Sequence, residues 1–132
     1  MGQPRVSAVL FAKDYVSLTG FYVEAMGLAL REERHDDHAV LVCEGFSLVI
    51  HQIPADIAAV VKIDRPPRRR EDATIKLCFA VDSLERVRRS AAALGGIVDG
   101  PDTEWTDEES ITCKGHDPEG NVFNVFVYRE RR

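Results

Sequence analysis

The chain matches itself at an offset of 68 residues. Ala8-Val9-Leu10-Phe11-Ala12-Lys13-Asp14, an apolar strand candidate ending at an acid, returns as Lys76-Leu77-Cys78-Phe79-Ala80-Val81-Asp82. Without a gap, Phe11, Ala12 and Asp14 fall on Phe79, Ala80 and Asp82, and farther along Ala25 and Gly27 fall on Ala93 and Gly95. In a chain of 132 residues this divides the protein almost equally, and a repeat of that length governs the whole architecture. Neither half is large enough to bury a comfortable core alone.

Each half reads the same way. The acid ending the first strand suits a helix N-cap, where a carboxylate accepts backbone N–H groups. Asp14 thus opens a helix with Leu18, Phe21, Tyr22, Ala25 and Met26 on one face, stopped by Gly27. Asp82, with Glu85 three residues on as a capping box, opens one with Leu84, Val87, Ala91 and Leu94 on one face, stopped by Gly95-Gly96. Three strand candidates follow each helix: Leu28–Glu33, His38–Cys43 and Phe46–Gln52, then Ile97–Asp99, Ser110–Lys114 and Asn121–Tyr128. Pro54, Pro66-Pro67 and Arg68-Arg69-Arg70 mark residues 53–72 as a linker with one helical turn, between a first module at 5–52 and a second at 73–128. A βαβββ unit leaves one sheet face uncovered and must bury it against a second unit. The expected fold is therefore α+β, with paired βαβββ modules forming a curved mixed sheet around a cleft suited to a ligand.

Composition excludes several functions. The formal charge of −5 argues against nucleic acid, which needs a concentrated basic surface. The Arg68-Arg69-Arg70 run and the Arg129, Arg131-Arg132 cluster read as a solvated loop and tail. No apolar run approaches the ~18 residues of a membrane span, and Met1 to Arg5 carry no signal-like apolar segment. Cys43, Cys78 and Cys113 sit inside apolar runs without C-x-x-C spacing and are expected as buried, reduced thiols. A cytoplasmic protein is the expectation.

Three segments resemble the vicinal-oxygen-chelate superfamily, which groups glyoxalase I, fosfomycin-resistance and bleomycin-resistance proteins and extradiol dioxygenases. They are Asp14 with Gly20-Phe21-Tyr22-Val23-Glu24-Ala25-Met26-Gly27-Leu28, then Phe79-Ala80-Val81-Asp82 with Leu94-Gly95-Gly96, and Asp117-Pro118-Glu119-Gly120-Asn121-Val122-Phe123. Together they span Val6 to Tyr128 in the right order. The resemblance implies one glyoxalase-like domain over residues 1–132. The last segment also makes sense unaided, because proline presets φ in the turn and Gly120 supplies a positive φ before the strand. That strand is apolar but for Asn124, an amide that must find partners or face a wet cavity.

The resemblance also implies a divalent metal held by His, Gln or Glu on the first and last strands of each module. Carried over residue by residue, those positions are Ser7, Val49, Lys76 and Asn124. Valine has no donor atom, an ammonium repels a cation, and neutral oxygens bind catalytic metals weakly. No family-type metal is expected, and no cofactor. The histidines offer no substitute spacing: His35 and His38 flank an Asp36-Asp37 turn read as a solvated hairpin, and His116 reads as a turn residue.

What lines the expected cleft is Ser7, Phe11, Val49, His51, Lys76, Cys78, Asn124 and Phe126. His51 shares a strand face with Val49 and reads as cavity or exposed strand end. Lys76 could hold an anion or simply snorkel to water. Cys78 reads as packing, with no identifiable partner base. Trp105, among Asp102, Glu104, Asp107, Glu108 and Glu109, could face a cationic planar ligand or cover a contact. Two functions follow, beside the blander reading of a scaffold-like dimer with no small ligand. One is a metal-free binder of a small organic molecule, forming a homodimer. The other is a lyase, isomerase or dioxygenase with a displaced metal site, or a metal-free one using Lys76 and His51.

Overall fold

The computed structural model describes residues 3–130, so Arg131 and Arg132 of the basic tail lie outside it. The chain forms two compact units, one ending at Ile63 and one beginning at Asp64. The first runs βαβββ before a short closing helix, and the second follows the same order with one extra two-residue strand.

The first contains β1 (Val6–Ala12), α1 (Tyr15–Glu24), β2 (Ala29–Arg34), β3 (His38–Cys43) and β4 (Phe46–Gln52), followed by a short helix α2 (Ala55–Val60). Asp14 caps α1, its carboxylate accepting the Ser17 N–H at 3.2 Å. Leu18, Phe21, Tyr22, Ala25 and Met26 are buried, as the helical spacing predicts. They meet Ala12, Ala39, Leu41, Leu48 and Ile50, the inward set of β1, β3 and β4. The sheet order is β1-β4-β3-β2, with β1 parallel to β4 and the other pairs antiparallel.

The second contains β5 (Leu77–Ala80), α3 (Leu84–Ala93), β6 (Ile97–Val98), β7 (Trp105–Thr106), β8 (Ser110–His116) and β9 (Val122–Tyr128). Its order is β5-β9-β8-β6, with β5 parallel to β9 and β7 added to β8. Leu84, Val87 and Ala91 of α3 are buried with Phe79, Cys113, Phe123 and Val125. Asp117 is fully buried in the last turn, where one carboxylate oxygen accepts the backbone N–H groups of Glu119 and Asn121. Gly120 there has φ +86°, and a Cβ on it would lie 2.1 Å from the Arg68 carbonyl oxygen. The chain entering the second module is thus laid against its last turn.

Several expectations are corrected. The cap of α3 is Ser83, whose hydroxyl accepts the Arg86 N–H, while Asp82 pairs with the Arg86 guanidinium and Glu85 with Arg89. The caps Asp14 and Ser83, and the helices they open, correspond at 69 residues, not 68. The self-match had paired Phe11, 65 % exposed, with Phe79, which is buried, and a slip of one residue turns a strand's side chains to the opposite face. Cys43 and Cys78 are exposed and only Cys113 is buried. His38 is half-buried on β3 rather than in a solvated turn, its Nδ1 2.6 Å from Asp37. The acidic segment after Pro101 contains a short 3-10 turn and β7, and Glu104 pairs with Arg88. Arg69 is largely buried rather than solvated, and His116 ends β8 with 4 % of its surface exposed.

Candidate functional site

In each module the helix covers one sheet face and leaves side chains on the other. On the first sheet the strand register gives three rows. Ser7, Ser47 and Val42 form one, Val9, Val49 and Val40 the next, and Phe11, His51 and His38 the third. Val9 is 53 % exposed, although apolar. Ser7 Oγ accepts from Ser47 Oγ at 2.9 Å. The third row is held by rings: Phe11 and His51 have centroids 6.1 Å apart, and His38 stacks on His51 at 6.0 Å and 17°.

On the second sheet Cys78, Asn124 and Lys114 form one row, and Ala80, Phe126, Thr112 and Trp105 the next. Lys76 stands one residue before β5, exposed, with the parity of Cys78. Trp105 is 46 % exposed. Phe126 is half-buried and packs edge-on against Tyr128 at 5.2 Å. Asn124 Oδ1 is buried and accepts no hydrogen bond from the described residues.

The positions where the resemblance implies metal ligands thus carry Ser7 and Val49 on one open face, with Lys76 and Asn124 on the other. Their donors do not fit a divalent cation. Among the described residues no group of three or more His, Cys, Asp or Glu could hold a metal ion.

Two arrangements were not visible in the sequence. One is a clamp in the second module. The Arg69 guanidinium grips the Asp99 carboxylate with both terminal nitrogens, and Arg69 Nε donates to His116 Nδ1 at 2.6 Å. These bonds hold the Asp99 carboxyl below its usual range. Burial first, and the Arg69 charge second, push His116 below the ordinary histidine value. Because Nδ1 accepts, the neutral His116 ring carries its proton on Nε2, which is buried without a partner among the described residues. The other is a pocket of about 610 Å³ in the first module, lined by Phe11, Tyr15, His51, Gln52, Pro54 and the Asp36-Asp37 turn, among others. The turn residues were legible only as a hairpin, and Tyr15 only as a helix start.

A family model described as a glyoxalase-like domain matches residues 7–126. Among solved structures, a glyoxalase/bleomycin resistance protein/dioxygenase family enzyme from Burkholderia phytofirmans is similar at 18 % identity and TM-score 0.64, covering 93 % of this chain and 97 % of that one. A lactoylglutathione lyase from Agrobacterium tumefaciens is similar at 18 % identity and TM-score 0.59, covering 96 % and 94 %. A fosfomycin resistance protein from Listeria monocytogenes reaches 14 % identity and TM-score 0.63, again covering 96 % and 94 %. No curated protein matches the sequence. At these identities the structures speak for the fold alone. With the family model running across both βαβββ modules, the chain belongs to the glyoxalase-like domain family.

Proposed function

We propose that the chain binds a small organic molecule on the open faces of its sheets, without a metal. One observation carries this reading: apolar and aromatic side chains, Val9, Phe11 and Trp105, stay exposed on faces with a few spaced polar groups. Ligand sites combine those two ingredients. On the first module's open face the contacting residues would be Ser7, Phe11, Val49 and His51, and on the second module's open face Lys76, Cys78, Trp105, Asn124 and Phe126. The misfit of Ser7, Val49, Lys76 and Asn124 to a metal supports a site built on shape and hydrogen bonding. The exposed apolar side chains also support a homodimer in solution. Unpaired Cys43 and Cys78 accord with a reducing compartment such as the cytoplasm, and among the described residues no helix is long and apolar enough to cross a membrane.

The test is calorimetric titration with a panel of small aromatic and aliphatic compounds, beside metal analysis of protein purified without chelator. The reading expects at least one compound to bind at micromolar Kd or better, and binding to weaken in Phe126→Ala and Asn124→Leu. One divalent ion per chain, or ligand binding untouched by both substitutions, would overturn it. Turnover of a substrate that Lys76→Ala or His51→Ala abolishes would instead favour a metal-free enzyme.

A further inference from the structure

The pocket in the first module has walls that specify its ligand. The β2–β3 turn is tied down from two sides. Tyr15 Oη accepts the Asp36 N–H at 3.1 Å and donates to Glu33 Oε2 at 3.0 Å, while the Gln52 backbone N–H donates to the Asp37 carbonyl at 2.8 Å. Asp36 is held at φ +63°, the one non-glycine with positive φ among the described residues. Left-handed backbone of this kind persists where surrounding contacts impose it.

The side-chain donors in the wall are already spent. The Tyr15 hydroxyl proton goes to Glu33. The Gln52 amide nitrogen donates to the Lys13 and Ile53 carbonyls at 2.6 and 3.2 Å, and its oxygen accepts the Tyr15 N–H. His51 Nδ1 lies 3.0 Å from the Gln52 carbonyl and must donate to it, which leaves Nε2 of the neutral ring as an acceptor. The Lys13 ammonium donates to the Ala58 and Val61 carbonyls. What remains is acceptor capacity. Among the described residues the exposed Asp36 carboxylate contacts His35 at 3.3 Å and nothing else, and Asp37 gives one oxygen to His38 and keeps the other. The His38 hydrogen bond holds the Asp37 carboxyl below its usual range. The rest of the lining is apolar: Phe11, Ile53, Pro54, Ala55 and Ala58.

We infer that this pocket takes a primary or secondary ammonium group carried on a small, flat apolar body. The ammonium would donate to Asp36, Asp37 and His51 Nε2, and the body would lie against Phe11 and Pro54, where a cation near an aromatic ring gains further attraction. The inference rests on the reading that the first module binds a small organic molecule, and it adds the charge and donor character of that molecule.

The experiment uses the full-length protein and three probes of nearly one shape: 2-phenylethylamine, 2-phenylethanol and phenylacetate. Calorimetry gives affinities, and amide NMR locates binding. The amine should bind at least about tenfold more tightly than the alcohol and shift the amides of Asp36, Asp37 and His51; phenylacetate should not bind. Asp36→Asn should weaken the amine several-fold and Asp36→Asn with Asp37→Asn about tenfold or more, without changing the alcohol. Asparagine also tolerates the left-handed turn, and the far-ultraviolet spectrum checks that both variants fold. Equal affinity for all three probes at the pocket would overturn the charge assignment and leave the binding function standing. Probe shifts confined to Ser7, Val49 or the second module would overturn the pocket itself. No binding by these probes or by the wider panel would overturn both.

Discussion

Removing the Arg69 side chain tests whether the clamp fastens the entering chain to the second module. Arg69→Met keeps an apolar stem but leaves Asp99 without its cation and His116 Nδ1 without its donor. Taking one partner from a fully buried pair costs about 3–5 kcal/mol. Here 19 % and 22 % of the two side chains remain exposed, so water recovers part of that loss, and about 2–3 kcal/mol is expected at pH 7. Urea denaturation followed by circular dichroism reads the difference, and Asp99→Asn with the double variant closes a cycle whose coupling should exceed about 1 kcal/mol.

The pH dependence of that difference is a stricter test. Asp99 has a depressed folded pKa. Its contribution is full above the unfolded value near 4 and lost as pH falls through the folded value. His116 is also depressed, so the unfolded chain takes up a proton near pH 6.5 that the folded chain refuses. Wild-type stability therefore falls with pH on both counts. Arg69 contributes to both shifts, and the gap between wild type and Arg69→Met must narrow as pH drops below about 6.5, and again below about 4. A gap that widens on acidification, or a loss under about 0.5 kcal/mol at pH 7, would refute the assignment.

Gly120→Ala should cost at least about 2 kcal/mol more than Gly27→Ala in the same urea assay. Both sites have positive φ, worth about 1–2 kcal/mol, but only Gly120 has a carbonyl in the space of the new Cβ; equal losses would refute that contact. In an NMR titration the His38 ring should protonate above the ordinary histidine value, because Asp37 and then Glu32 hydrogen-bond to it, and His116 below it. The reverse order would overturn both environments. A thiol reagent should modify Cys43 and Cys78 rapidly and Cys113 only on unfolding, Cys113 being enclosed by Thr103, Arg88 and the Asp99 carbonyl. Three fast thiols would contradict that burial.

Local physics made the modules legible. Apolar spacing located both helices, and glycine located their ends, because those signals depend on neighbours in the chain. The boundaries of β3 and β4 were read correctly for the same reason: alternating Ala39 and Leu41, or Leu48 and Ile50, go to the core. What failed depended on distant partners. Arg69 looked solvated because Asp99 and His116 are 30 and 47 residues away. The Asp36-Asp37 turn is the solvated hairpin it was read as, but its ties to Tyr15 and the Gln52 backbone come from residues too distant in sequence to be seen. Cys43 and Cys78 looked buried because apolar neighbours do not reveal which face of a strand is covered.

The self-match at 68 residues found the right topology through the wrong register, and the difference bears on function. With the caps aligned, Ser7 falls on Lys76, Val9 on Cys78 and Phe11 on Ala80. In the last strands, Val49 and Asn124 pair with Val9 and Cys78, so they correspond too. On the covered face both modules keep apolar residues, since each must seal its sheet against a helix. On the open face every pair differs in chemistry: hydroxyl against ammonium, isopropyl against thiol, ring against methyl, isopropyl against amide. Packing therefore constrains the two modules alike on one side only, and the open sides are free to diverge. An Asn124 whose buried oxygen meets no donor from the described residues is costly to keep for stability alone. That cost is offset if a donor arrives from outside the fold, so Asn124→Leu should hold or raise stability in the free protein while weakening its ligand.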